Sequence, residues 1–168
     1  MFVIVLASLL LMGIILFLAG LRFNSTKSIP VGLYRTSAEP VGKGDYVLFC
    51  PPETPIFLEA RERGYISAGF CPGNLGQMMK RVLAVGGDVV SISDNGVSVN
   101  GTALPLSKPI HADPAGRPLP RYHSDDFVIR KNEVLLMSDA SATSFDGRYF
   151  GPVHQFQIMS GLVPVFTW

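Results

Sequence analysis

Apolar residues follow one another without interruption over residues 1–21, which carry no charged side chain and have Ser8 as the most polar one. A helix of that length would be roughly 31 Å long, enough to cross a hydrocarbon core of about 30 Å. A buried core helix would normally carry a polar stripe, and this segment has none. The pattern predicts a transmembrane anchor over residues 1–21, followed by one domain over residues 22–168.

A cleaved signal peptide is the alternative for this segment. No Lys or Arg precedes the apolar run, although a signal peptide normally begins with positive charge. Cleavage after Ala19 or Gly20 would leave Phe17 or Leu18 where a small residue is required. An uncleaved anchor is therefore favoured.

Charges and cysteines give opposite indications of the side of the membrane on which the domain lies. Arg22, Lys27 and Arg35 follow the apolar segment, which favours the cytoplasm by the positive-inside rule. Cys50 and Cys71 are the only cysteines, and such a pair indicates one disulfide in an oxidising compartment. Two buried free thiols are the alternative, and the spacing suits a zinc site poorly. We expect the domain to lie outside the cytoplasm.

Beyond residue 21, short β-branched segments alternate with turn residues. The predicted strands are 46–49, 80–85, 89–92, 97–99, 127–130, 134–137 and 162–166, with an Asn-Gly hairpin connection at 93–96. One helix is predicted after Thr54, ending at Gly64. Residues 104–121 contain five prolines and should form an extended surface loop. The expected fold is mostly β, built of short curved strands with one small helical excursion.

Composition and charge exclude several classes of function. The 14 basic and 13 acidic residues nearly balance, which excludes a nucleic-acid binder that works by bulk charge. A hydrophobic fraction of 48% with 16% charged residues excludes disorder. No Gly-x-Ser-x-Gly motif accompanies the three histidines, so a Ser-His-Asp triad is disfavoured. The chain also has no glycine-rich phosphate loop and no metal-ligand cluster, so no cofactor and no metal are expected.

Three blocks stand out together, at residues 24–35 (NSTKSIPVGLYR), 80–88 (KRVLAVGGD) and 137–152 (MSDASATSFDGRYFGP). In this order, behind an N-terminal apolar segment, they resemble the type I signal peptidases, and most of all the conjugal-transfer TraF-type peptidases. The resemblance covers essentially the whole chain from Met1, including both cysteines. It implies a signal-peptidase-like fold and a serine peptidase with a lysine base.

The resemblance also assigns roles to residues of the first two blocks. It places the nucleophile on Ser28 and the general base on Lys80. Thr26 matches a hydroxyl that helps to form the oxyanion hole. Ile29 and Pro30 directly follow the nucleophile, a departure from the general signal peptidases that favours the conjugal subgroup.

In the third block, Ser144 matches a hydroxyl that orients the lysine. Asp146 matches an acidic position implicated in TraF-like activity, and Arg148 matches its ion partner. Residues 138–140 read Ser-Asp-Ala where the general pattern is Gly-Asp-Asn, which again favours the conjugal subgroup. A turn-stabilising ion pair is the alternative role for Asp146 and Arg148.

A lysine base also makes physical sense here. A lysine with a pKa near 10.4 is neutral only about one time in a thousand near pH 7.4, and desolvation by apolar neighbours raises that fraction. In a strand, Lys80 shares a face with Met78, Val82 and Ala84. The alternatives are a solvated lysine paired with a carboxylate and, for Ser28, a linker serine.

These observations predict a single-pass inner-membrane serine endopeptidase with its catalytic domain in the periplasm. Its expected partners are a membrane-inserted pilin precursor of a conjugative transfer system, the lipid bilayer and other mating-pair proteins, without nucleic acid. Joining of the new ends into a ring is implied by the TraF resemblance alone. The alternatives are a general signal peptidase for exported proteins and a non-catalytic pilus-assembly protein of the periplasm.

Overall fold

The computed structural model describes residues 2–168, with short strands dominating the chain after its N-terminal helix. The helices are α1 (Phe2–Leu18), α2 (Pro55–Glu62) and α3 (Gly147–Phe150). The strands are β1 (Leu21–Asn24), β2 (Gly32–Ser37), β3 (Tyr46–Phe49), β4 (Ala68–Cys71), β5 (Met78–Val85), β6 (Val89–Ser93), β7 (Gly96–Val99), β8 (Thr102–Ala103), β9 (Ser124–Val128), β10 (Glu133–Met137), β11 (Val153–His154) and β12 (Ile158–Thr167).

All of these strands except β4 form two antiparallel sheets that meet along β5 and β10. The larger sheet has seven strands in the order β1-β2-β12-β3-β5-β10-β11, and the smaller has four in the order β8-β7-β6-β9. Helices α2 and α3 pack on one face of the larger sheet, around Phe57, Phe145 and Tyr149. Ala84, Leu135 and other residues of β5 and β10 form a second core with the smaller sheet. The predicted mostly β fold with one helical excursion is confirmed.

Most of the predicted elements are present. Six of the seven predicted strands fall inside β3, β5, β6, β7, β10 and β12, and the predicted helix is α2. The strand predicted at 127–130 lies instead at Ser124–Val128. Strands β1 and β2 were not predicted, although they flank the first of the three sequence blocks.

The N-terminal segment departs from the predicted anchor over residues 1–21. Helix α1 has 17 residues and ends at Leu18, because Gly20 adopts a left-handed φ of +80°. A Cβ atom at Gly20 would lie 2.4 Å from Thr36 Oγ1, so glycine is required there. Leu21 already belongs to β1 and pairs with Arg35. Helix α1 therefore ends before residue 21, and the division of the chain at that residue stays a prediction.

Within residues 2–168, none of the helices combines the length and the hydropathy needed to cross a membrane, so the transmembrane helix expected at the N-terminus is not found.

The cysteines form the disulfide that the sequence indicated. Cys50 and Cys71 are bonded, with their Cα atoms 5.5 Å apart, and the bridge encloses α2 and β4. Phe57 and Ala60 of α2 are buried against the main core, so the bridge encloses a segment with its own packed side chains. The alternative of two free thiols is excluded for this structure.

We expect the double variant Cys50→Ala/Cys71→Ala to lower the free energy of unfolding by about 3 kcal/mol, because the unfolded chain regains the freedom of the closed loop. The closed loop spans a sequence separation of 21 residues. Urea denaturation of both proteins measures the difference. Equal midpoints and equal slopes would show that the bridge does not stabilise the domain.

Candidate active site

Ser28 lies in the tight connection between β1 and β2. The two strands pair antiparallel, and Asn24 faces Gly32 where the connection begins and ends. The side chain of Ile29 is fully buried, and the Tyr34 hydroxyl donates a 2.6 Å hydrogen bond to the Pro30 carbonyl. These two contacts hold the connection against the sheet and leave Ser28 half-buried beside a cavity.

Asn24 organises the loop that carries Ser28. Its buried amide donates to the carbonyl oxygens of Thr26, Ile29 and Pro30 at 2.8, 2.9 and 3.1 Å. Its Oδ1 accepts from the Thr26 backbone N–H at 3.1 Å and from the Thr26 hydroxyl at 2.9 Å. Sequence reasoning gave Asn24 no role. The available indication was the Asn-x-Thr spacing, which is typical of an Asx-turn.

Lys80 occupies the buried face of β5. Burial alternates along that strand, so Lys80 shares a face with Met78, Val82 and Ala84 as predicted. Lys80 is 2% exposed, and desolvation of its amine lowers the pKa of Lys80 from 10.5 to about 8. Nearby Asp146 opposes this change and Arg148 reinforces it. Lys80 is therefore neutral in about a fifth of the molecules at pH 7.4.

Ser144 provides a partner for Lys80. The Nζ atom donates a 2.9 Å hydrogen bond to Ser144 Oγ, and both side chains are buried. Ser28 lines the same cavity as Lys80, and no hydrogen bond joins the two within residues 2–168. The structure thus brings the Ser28 side chain, a lysine of lowered pKa and the Ser144 hydroxyl close together.

The Thr26 hydroxyl faces Asn24 in this conformation. Because it donates to Asn24 Oδ1, its proton is not free for an oxyanion. The Ser28 backbone N–H has no acceptor within residues 2–168 and can serve as an oxyanion donor. The oxyanion role of Thr26 stays a prediction that requires rotation of its hydroxyl.

Asp146 and Arg148 form a fully buried ion pair beside the lysine. Arg148 Nε donates to Asp146 Oδ1 at 2.8 Å and one of its terminal nitrogens to Oδ2 at 2.9 Å. The carboxylate also accepts from the backbone N–H groups of Ser138 and Arg148. Asp146 lines neither cavity at Ser28. Its catalytic role stays a prediction, and Asp146 could affect the reaction only through Lys80.

The guanidinium of Arg148 also joins two loops. It donates to the carbonyl oxygens of Leu106 and Ala142 at 2.8 and 2.9 Å. The proline-rich connection around residue 106 is thereby fixed to the third sequence block. Sequence reasoning predicted the ion pair but not this second role, since its partner lies 42 residues away.

Two cavities meet at Ser28. The first, of about 450 Å³, is lined by the end of β1, by residues 64–67 and by residues 77–80. The second, of about 380 Å³, is lined by residues of the loops 110–119 and 141–145. Thr26, Ser28, Tyr65 and Phe145 line both. A chain bound across this site can place segments on both sides of the Ser28 hydroxyl, as a scissile peptide requires.

Comparisons with known proteins show to which family the chain is similar. The family model described as signal peptidase, peptidase S26 matches residues 1–168. A plasmid transfer protein TraF of Escherichia coli is 64% identical over 150 residues, covering 89% of this chain and 84% of that protein. A conjugal transfer protein TraF of Agrobacterium tumefaciens is 38% identical over 151 residues, covering 89% of this chain and 84% of that protein.

Among solved structures, a signal peptidase I from Enterococcus faecalis matches with a TM-score of 0.41 and 18% identity, over 76% of this chain and 100% of that one. The family match extends over the full length and contains all three sequence blocks. The chain therefore belongs to the signal peptidase family, peptidase S26, and within it resembles the TraF proteins.

Proposed function

We propose that this chain is a serine endopeptidase in which Ser28 is the nucleophile and Lys80 the general base. The observation that carries the proposal is the buried lysine, whose lowered pKa and hydrogen bond to Ser144 serve no evident structural purpose. A purely structural lysine would gain stability from a carboxylate in direct contact. Lys80 instead contacts a hydroxyl, beside a cavity that contains Ser28.

The reaction then has two stages. Ser28 Oγ attacks the scissile carbonyl carbon while its proton passes to Lys80 Nζ. The lysine returns that proton to the leaving amine as the C–N bond breaks, which leaves an ester on Ser28. Water completes hydrolysis, or an amine attacks the ester and forms a new peptide bond.

For the substrate, we propose the pilin precursor of a conjugative transfer system. Support comes from the names of the relatives, which are plasmid and conjugal transfer proteins. Joining of the pilin ends into a ring is proposed as the second stage, with the pilin's own amino terminus as the attacking amine. Intact mass of processed pilin tests this, since a ring weighs about 18 Da less than the linear product because no water is added.

We further propose that the domain works in the periplasm at the membrane surface. The disulfide is consistent with an oxidising compartment. Exposed apolar side chains continue from α1 onto the adjacent part of the larger sheet, where Phe23, Phe166 and Trp168 are each more than 60% exposed. Such a surface favours contact with lipid. Flotation of the protein with lipid vesicles tests it.

The pKa of Lys80 fixes the direction of the pH dependence. Because only the neutral amine can accept a proton, kcat/KM should rise with pH through about 8, the pKa of Lys80, and then level off. The pH profile of cleavage of a purified pilin precursor measures it. A profile that falls over this range would contradict a lysine base.

Substrate choice is a separate test. Equal cleavage of ordinary exported precursors would favour a general signal peptidase.

Asn24→Ala should reduce kcat about 100-fold, because misplacing a reacting group by about 1 Å costs that much. KM should change less than kcat, since the cavity walls formed by residues 64–67 and 77–80 do not depend on Asn24. Circular dichroism verifies folding, and Asn95→Ala is the matched control, because Asn95 is an exposed asparagine in a turn that lines neither cavity. A normal kcat in Asn24→Ala would show that these five hydrogen bonds do not position Ser28.

A further inference from the structure

The second cavity at Ser28 has walls suited to an apolar peptide segment. Its lining includes the side chains of Ile110, Leu119, Phe145 and Tyr149, together with Ser141, Thr143, Lys27 and Asp113, whose carboxylate is paired with Arg117. Lys80 lines only the first cavity, whereas its partner Ser144 lines the second. The Lys80–Ser144 pair therefore lies between the two.

The first cavity suits the acyl side of a substrate. Strand β1 is the edge of the larger sheet, and its last residues line this cavity opposite Met78, Met79 and Lys80 at the start of β5. Extended segments of this kind can hold an extended chain by backbone hydrogen bonds. The segment that ends in the leaving amine must then lie on the other side of Ser28.

We propose that the second cavity is the amine-side subsite, which binds both the leaving segment and the amine that replaces it. This inference rests on the proposed peptidase function. Attack of an amine on the acyl-enzyme is the reverse of peptide cleavage, so the incoming amine must occupy the position that the leaving amine vacated. The lining favours a peptide whose first residues, next to the attacking amine, carry apolar or aromatic side chains.

Attack of the amine on the acyl-enzyme needs no co-reactant. The amine nitrogen attacks the ester carbonyl carbon, a C–N bond forms, and the C–O bond to Ser28 breaks. Lys80 Nζ takes the proton of the amine and returns one to Ser28 Oγ. Binding in the cavity matters because water competes at about 55 M, while a flexibly tethered amine reaches only about millimolar concentration. An aligned amine exceeds both, with effective molarities of about 10⁵ M.

The test measures how one acyl-enzyme divides between water and an added amine. A panel of peptide methyl esters with different final residues acylates the enzyme, and leucyl-alaninamide or glycyl-glycinamide is added as acceptor. Mass spectrometry gives the ratio of new peptide to free acid. This ratio is independent of the rate of acylation. The leucyl acceptor should exceed the glycyl acceptor about tenfold, the selectivity typical of an apolar pocket.

Thr143→Trp should remove this preference, because Thr143 is an exposed residue at the edge of the second cavity and the larger ring fills it. Gln77→Trp is the matched control, since Gln77 is an exposed residue lining only the first cavity. Leu119→Ala, which weakens the apolar wall, should lower the preference without adding bulk.

An unchanged preference in both Thr143→Trp and Leu119→Ala would overturn the assignment. A loss of the leucyl preference in Gln77→Trp alone would also overturn it, because that result would assign the amine side to the first cavity. Wild-type enzyme that releases neither acid nor peptide from any ester would instead contradict the proposed peptidase function.

Discussion

Replacing Ser28 with alanine, or Lys80 with arginine, is expected to abolish cleavage, with a loss of about 10⁴-fold or more in kcat. Alanine removes the attacking oxygen. Arginine keeps the positive charge but cannot lose it, because a guanidinium stays protonated throughout the pH range in which proteins work. The variant Ser28→Ala/Lys80→Ala should be hardly worse than either single variant, since nucleophile and base act as a unit. Cleavage of a purified pilin precursor, followed by mass spectrometry, measures these rates.

Two controls separate this expectation from a general loss of structure. Ser37→Ala changes a serine of β2 that lines neither cavity and should leave the rate near that of the wild type. Ser144→Ala should be milder than the dyad variants, since it removes only the hydroxyl that Lys80 contacts. Activity in Lys80→Arg would refute the lysine base, whatever the controls show.

The second large effect concerns stability. Arg148→Met is expected to lower the free energy of unfolding by about 3–5 kcal/mol, because it leaves the Asp146 charge buried without a partner. Both side chains of this pair are fully buried. Urea denaturation with a fluorescence readout measures the change. Asp146→Asn/Arg148→Met, which removes both charges, should recover part of the loss.

The matched control for this prediction is Arg121→Met. Arg121 pairs with Asp94 at the surface, where both side chains are about half exposed. Exposed pairs contribute at most about 1 kcal/mol, so this variant should be close to wild type. Similar stability of Arg148→Met and Arg121→Met would show that the buried pair is not needed for folding.

The buried environment of Lys80 could be predicted because it is set by local sequence. The alternation of buried and half-buried residues along β5 follows from the two-residue period of a strand. It places Lys80 on the same face as Met78, Val82 and Ala84. The likeness of three sequence blocks to a known family supplied Ser28 and Ser144. The structure brings Ser28, Lys80 and Ser144 to the same region, as that likeness implies.

The end of α1 and the second cavity were not predictable in the same way. The apolar run continues past Leu18, and only the approach of Thr36 to Gly20 shows why the helix must end. The second cavity depends on loops joined through Arg148, whose contact with Leu106 spans 42 residues. Contacts of this range leave no periodic pattern in the sequence.

The most direct test of the peptidase account is the identity of the acylated residue. Wild-type enzyme is mixed briefly with a pilin precursor or a reactive peptide ester, quenched in acid, digested and mapped by mass spectrometry. The account predicts an added acyl mass on the peptide that contains Ser28, absent from Ser28→Ala. An acyl group on another residue, or product formation with no acyl-enzyme and full activity in Ser28→Ala, would contradict it.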